Sequence, residues 1–145
     1  MTSTDAPYTR PFYLNLAVAD LPRARAFFAE LGFRFDPRFT NEQAACMVIN
    51  DGSSVMLLQR PFFQSFTPRS ICDTDRAVEG LFAFGAPSRA DVDALVERAV
   101  TLGASEAREP QDHGFMYARS FFDLDGHQWE VGWMNPDAFP PGGDA

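Results

Sequence analysis

Two stretches of this chain share one pattern: Asn50-Asp51-Gly52-Ser53-Ser54-Val55-Met56-Leu57-Leu58 and Asp123-Leu124-Asp125-Gly126-His127-Gln128-Trp129-Glu130-Val131. Each opens on Asp-Gly, which supplies a tight turn because Gly tolerates positive φ and Asp bonds to its own backbone. Each continues as a strand whose side chains alternate between two faces. Val55 and Leu57 correspond to Trp129 and Val131, and Met56 corresponds to Glu130. Upstream of each lies a helical pattern closed by glycine, over 20–32 and 88–103. An internal repeat constrains architecture more than any single motif. It implies two copies of one β-α-β-β-β unit, each with one helix and a sheet whose second face is left to enclose something.

The details fit that unit. The segment 12–18 reads as a strand with Leu14, Leu16 and Val18 on one face and Tyr13, Asn15 and Ala17 on the other. Asp20 is a helix N-cap with Pro22 tolerated in the first turn, and Leu21, Ala24, Phe27, Phe28 and Leu31 recur at helical spacing. A short strand at 33–35 ends at Asp36-Pro37, and 44–49 and 53–59 form an antiparallel pair. Residues 60–78 read as a long aromatic loop. The second half restarts with a strand over 79–86, a helix capped by Ser88 and Asp91, and strands at 105–108, 115–122 and 127–134, with a turn over 110–114. The expected organisation is a flexible lead-in (1–10), one domain (11–136) of modules 11–60 and 79–136 joined by loop 61–78, and a loose tail (137–145).

Composition excludes several classes. Of 145 residues, 46% are hydrophobic and 14% aromatic, which excludes general disorder. A net charge of −8 argues against nucleic-acid binding and against electrostatic attachment to anionic membranes. All twelve basic residues are Arg, which removes Schiff-base chemistry, a lysine general base and a lysine phosphate loop. Two cysteines, Cys46 and Cys72, are too few for a disulfide scaffold or zinc ribbon. No basic region followed by an apolar run marks a signal peptide, and no apolar run approaches a membrane span, so the expected location is the cytoplasm.

Several side chains are candidates for chemistry. Glu130 shares a strand face with Gln128, Gly132 and Met134, opposite Trp129, Val131 and Trp133. A carboxylate there must be paired, hydrogen-bonded or metal-bound. His113, in the turn Asp112-His113-Gly114, can serve as ligand, acid or base, or stay an exposed loop histidine. Tyr13 and Asn15 read as substrate hydrogen-bonders or as polar core residues with fixed partners. Tyr117 and Arg119 alternate on one strand face, where Arg can bind a ligand's carboxylate or phosphate or form an ion pair. Met56 reads as core or pocket. Glu79 is a strand-end carboxylate, and His127 serves its own turn.

The motifs Leu16-Ala17-Val18-Ala19-Asp20-Leu21, Ala26-Phe27-Phe28, Leu31-Gly32-Phe33 and 123–131 resemble the vicinal oxygen chelate superfamily of glyoxalase I, bleomycin-resistance proteins and extradiol dioxygenases. The resemblance covers roughly residues 11–136. Asn15-Leu16 and the stretch 109–117 are similar to a branch of small bacterial predicted lactoylglutathione lyases. The resemblance implies an α+β fold: two βαβββ modules forming a curled mixed β-sheet around a cleft, in a homodimer. It also implies a divalent metal (Mn, Ni, Co, Mg or Zn), or none where the protein only binds a ligand. The family's last-strand carboxylate falls on Glu130. Tyr13 stands where the first-strand ligand is usually His or Gln, and the third position falls on Leu81 or Glu79; His113 is a further candidate. Two functions follow as expectations. One is a metal-dependent lyase or isomerase acting through Glu130 and His113 on a small oxygenated substrate. The other is a metal-free protein sequestering a small drug-like molecule; in either case Tyr13, Asn15, Met56, Tyr117 and Arg119 are the candidate substrate-binding residues.

Overall fold

Alternation along Phe12–Val18 becomes strand β1, with Leu16 and Val18 buried and Tyr13 and Asn15 exposed. The computed structural model describes residues 7–138 and divides into two units between Ile71 and Cys72.

In the first unit, β1 pairs in parallel with β4 (Ser53–Gln59). Strand β4 pairs antiparallel with β3 (Ala44–Asn50), and β3 with the short β2 (Arg34–Phe35), giving the order β1-β4-β3-β2. Helix α1 (Leu21–Glu30) starts where the Asp20 carboxylate accepts the Arg23 amide at 3.1 Å, and Pro22 occupies its first turn. The chain leaves it through Gly32 at φ +103°, a conformation glycine adopts without steric cost. Leu21, Ala24, Phe27 and Phe28 are buried on the helix side, as are Met47, Val55 and Leu57 of the sheet.

A short helix, α2 (Arg60–Gln64), stands where the sequence was read as irregular. Pro61 lies in its first turn, where a missing N–H removes no helical bond, and Phe62 meets Phe66 edge to face at 5.0 Å. One turn and a half is too short to show a helical period. It packs on β1 and β4.

The second unit repeats the plan. Strand β5 (Leu81–Gly85) runs parallel to β9 (Gln128–Met134), which pairs antiparallel with β8 (Met116–Phe122). Two-residue strands β6 (Ser105–Glu106) and β7 (Gln111–Asp112) pair with different parts of β8, the latter inside the expected turn. Helix α3 (Arg89–Thr101) begins at Ser88, whose hydroxyl accepts the Asp91 amide and donates to the Asp91 carboxylate. Val92, Val96 and Ala99 of α3 are buried on the same side as Phe121, Trp129 and Val131. The fold is α+β, with a mixed sheet in each unit. Among the described residues no helix is long and apolar enough to cross a membrane.

Candidate functional site

The helix-free face of the second sheet holds a cavity of about 790 Å³. Its walls are Leu81, Ala83 and Gly85 of β5, Met116 and Ala118 of β8, and Gln128, Glu130, Gly132 and Met134 of β9. Arg108, Gln111 and His113, from the connection between β6 and β8, also line it. Strand parity explains the set. Ala83 pairs with Glu130 and Leu81 with Gln128, and directly paired residues share a face. The cavity thus brings together two candidates from the sequence, Glu130 and His113. The His113 ring is exposed and lies 6.3 Å from that of Phe115.

Glu130 is mostly shielded, its side chain 19% exposed. Its Oε2 accepts from Gln128 Nε2 at 3.0 Å, and its Oε1 stands 3.9 Å from Arg108 Nη2. The neighbours of Glu130 on this face are Ala83 and Ser120, and the other implied family position is Leu81. Neither Ala nor Leu can donate to a cation. Glu79 does not line the cavity; its Oε2 is 3.0 Å from Nδ1 of the buried His127. The strand begins only at Leu81, so strand parity does not carry back to Glu79. The expected metal set Glu130, Glu79 and His113 is therefore not assembled. Among the described residues no group of three or more His, Cys, Asp or Glu could hold a metal ion. A divalent cation does not fit this donor set.

Tyr117 and Arg119, expected at the ligand, lie on the helix side of β8, since Met116 and Ala118 take the cavity side. The Tyr117 hydroxyl donates to Asp93 at 2.6 Å. Arg119, 9% exposed, donates to Asp93 and Glu97 of α3 and to Glu106 of β6, each pair at 3.0 Å. The Tyr117 hydrogen bond, helped by Arg119 and opposed by burial, holds the Asp93 carboxyl below its ordinary range. The signal for this role was in the helix: Asp93 and Glu97, four apart, share a helix face. Tyr13, Asn15 and Met56 lie in the first unit. Asn15 pairs with Met56 and Tyr13 with Ser54, so all three share one sheet face.

The sequence reading missed Arg108 and Gln111, whose short strands and turns give no periodicity. It also missed the buried carboxylate of the 123–131 segment, which is Asp123. Its Oδ1 accepts the amides of Asp125 and His127 at 2.8 and 3.1 Å, and its Oδ2 accepts the Trp129 indole N–H at 2.9 Å. Burial pushes its pKa up, against the pull of His127 and these donors. Gly126, at φ +85°, lies under Thr74; an added Cβ would stand 2.7 Å from the Thr74 carbonyl oxygen. Asp123 and Gly126 thus shape the turn that feeds Glu130 into β9.

Residues 10–131 match the family model of the Glyoxalase/Bleomycin resistance protein/Dioxygenase superfamily. The chain belongs to that superfamily. Solved members and relatives share the fold. A hypothetical protein from S. aureus is 23% identical, with a TM-score of 0.76 over 91% of this chain and 99% of that one. A glyoxalase-related enzyme from Fulvimarina pelagi is 21% identical, with a TM-score of 0.74 over 95% and 96%. A lactoylglutathione lyase from Agrobacterium tumefaciens is 19% identical, with a TM-score of 0.61 over 88% and 95%. No curated protein matches the chain at a significant level. At these identities superfamily membership fixes the scaffold, and the cavity's own residues must carry the function.

Proposed function

We propose that this superfamily member binds a small, largely apolar molecule in the second-unit cavity without a metal. The observation that carries the reading is the wall around Glu130: Ala83, Leu81, Met116, Ala118 and Met134 surround one carboxylate, and among the described residues no group of three or more His, Cys, Asp or Glu could hold a metal there. An apolar concave surface with a few fixed polar groups is the usual form of a small-molecule site. Burial of the ligand's body against β5 supplies affinity, at roughly 25 cal/mol per Å² of apolar area before the cost of ordering the ligand. Gln128 hydrogen-bonds the Glu130 carboxylate, with Arg108 3.9 Å away, and the carboxylate then orients the ligand's polar end. A homodimer and a cytoplasmic location belong to the same proposal; exposed Leu81 on edge strand β5 and the free thiols Cys46 and Cys72 support them.

A second reading, a lyase or isomerase, has one observation in its favour: Glu130 and His113 line the same cavity, a carboxylate and an imidazole able to pass a proton. Binding of a hydrophobic fluorescent dye in the presence of a chelator tests the first reading. Binding that Ala83→Trp abolishes, by filling the cavity floor, supports it. Dye binding unchanged in that variant places the ligand elsewhere and defeats it.

A further inference from the structure

The polar end of the cavity contains two groups whose partners are incomplete. Arg108 Nη2 and Glu130 Oε1 are 3.9 Å apart, within ion-pair range but too far for a hydrogen bond. Among the described residues, Oε1 accepts no hydrogen bond. Arg108 is 56% exposed.

From these we infer that the cavity takes a zwitterionic ligand, an α-amino acid head group on an apolar body. This rests on the reading of the cavity as a metal-free binding site. The head group's ammonium donates to Glu130 Oε1, the cavity-lining carboxylate oxygen. Its carboxylate, one carbon away, meets the Arg108 guanidinium, which can donate two parallel N–H bonds to it. Arg108, Glu130, ammonium and carboxylate then form a closed ring of alternating charge. The ligand's body lies on Leu81, Ala83 and Met134. A ligand that is only cationic leaves Arg108 facing its ammonium, and one that is only anionic meets Glu130.

Four molecules of nearly equal shape test this: phenylalanine, phenethylamine, 3-phenylpropionate and 3-phenylpropanol. Binding is read from the methyl resonances of Met116 and Met134 in ¹³C-methionine-labelled protein. Phenylalanine is expected to bind about tenfold tighter than either singly charged analogue. Arg108→Gln and Glu130→Gln each remove that preference. Arg108 is half-exposed, so its variant tests the point even if Glu130→Gln disturbs the sheet. Phenethylamine or 3-phenylpropionate binding as tightly as phenylalanine overturns the zwitterion inference. So does equal binding of all four, which leaves apolar binding in the cavity standing. No shift of either methyl with any of the four overturns both.

Discussion

Glu130 stands directly opposite Ala83 across the parallel β5–β9 pair, and on its other side faces Ser120 of β8. That arrangement gives the cavity one carboxylate in an apolar wall. Glu130→Ala is therefore expected to weaken ligand binding about tenfold while leaving the fold intact, since Gln128 and Arg108 are both part-exposed and can turn to water. Titration of variant and parent with the same ligand checks it.

Asp123 is expected to matter for stability rather than binding. Asp123→Ala leaves two backbone amides and the Trp129 indole N–H without their acceptor in a buried turn. The loss is about 3–5 kcal/mol, read as a lowered urea midpoint. The same group sets a pH dependence. Because burial raises its folded pKa, the folded state holds the proton more tightly than the unfolded one. That part of the stability is present below the ordinary Asp pKa and is lost as pH rises through the folded value.

Asp93 behaves in the opposite sense. Its carboxyl is depressed by the Tyr117 hydroxyl and Arg119, so its stabilisation is present above the ordinary value of 3.8 and fades as pH falls through the lower folded value. Asp93→Asn should destabilise the protein at neutral pH, with a difference from the parent that shrinks in acid. Denaturation midpoints at a series of pH values show whether the gap closes in that direction.

Arg119→Met should cost roughly 2 kcal/mol, because Asp93, Glu97 and Glu106 would be left together without their shared cation. Binding in the cavity should be unchanged, since Arg119 lies on the helix side. Weakened binding at full stability would return Arg119 to the ligand site.

The repeat was legible because its signals are local: Asp-Gly turns, two-residue alternation, capping residues and terminal glycines each act within a few positions. That sufficed for β1, α1, the β3–β4 pair, α3, β8 and β9. Strand parity also put Glu130 on a face with Gln128 and Met134. What parity could not supply was which face of β8 meets α3. Arg119 is charged and sits on a strand, so a polar cleft was a natural expectation; the answer lay in Asp93 and Glu97, on another element. Glu79 was misread for a related reason, because its partner His127 comes from a turn far along the chain. Arg108 and Gln111 lie in irregular segments where no pattern precedes contact.

The central claim is that the cavity around Glu130 binds its ligand without a metal. The most direct measurement is the dissociation constant of one cavity-binding ligand in chelator and again in saturating Mn, Ni, Co or Zn, for the parent and Glu130→Ala. Values equal within about twofold across all metal conditions are expected for each protein. Affinity that rises about tenfold or more with a metal in the parent, and does not in Glu130→Ala, would contradict it.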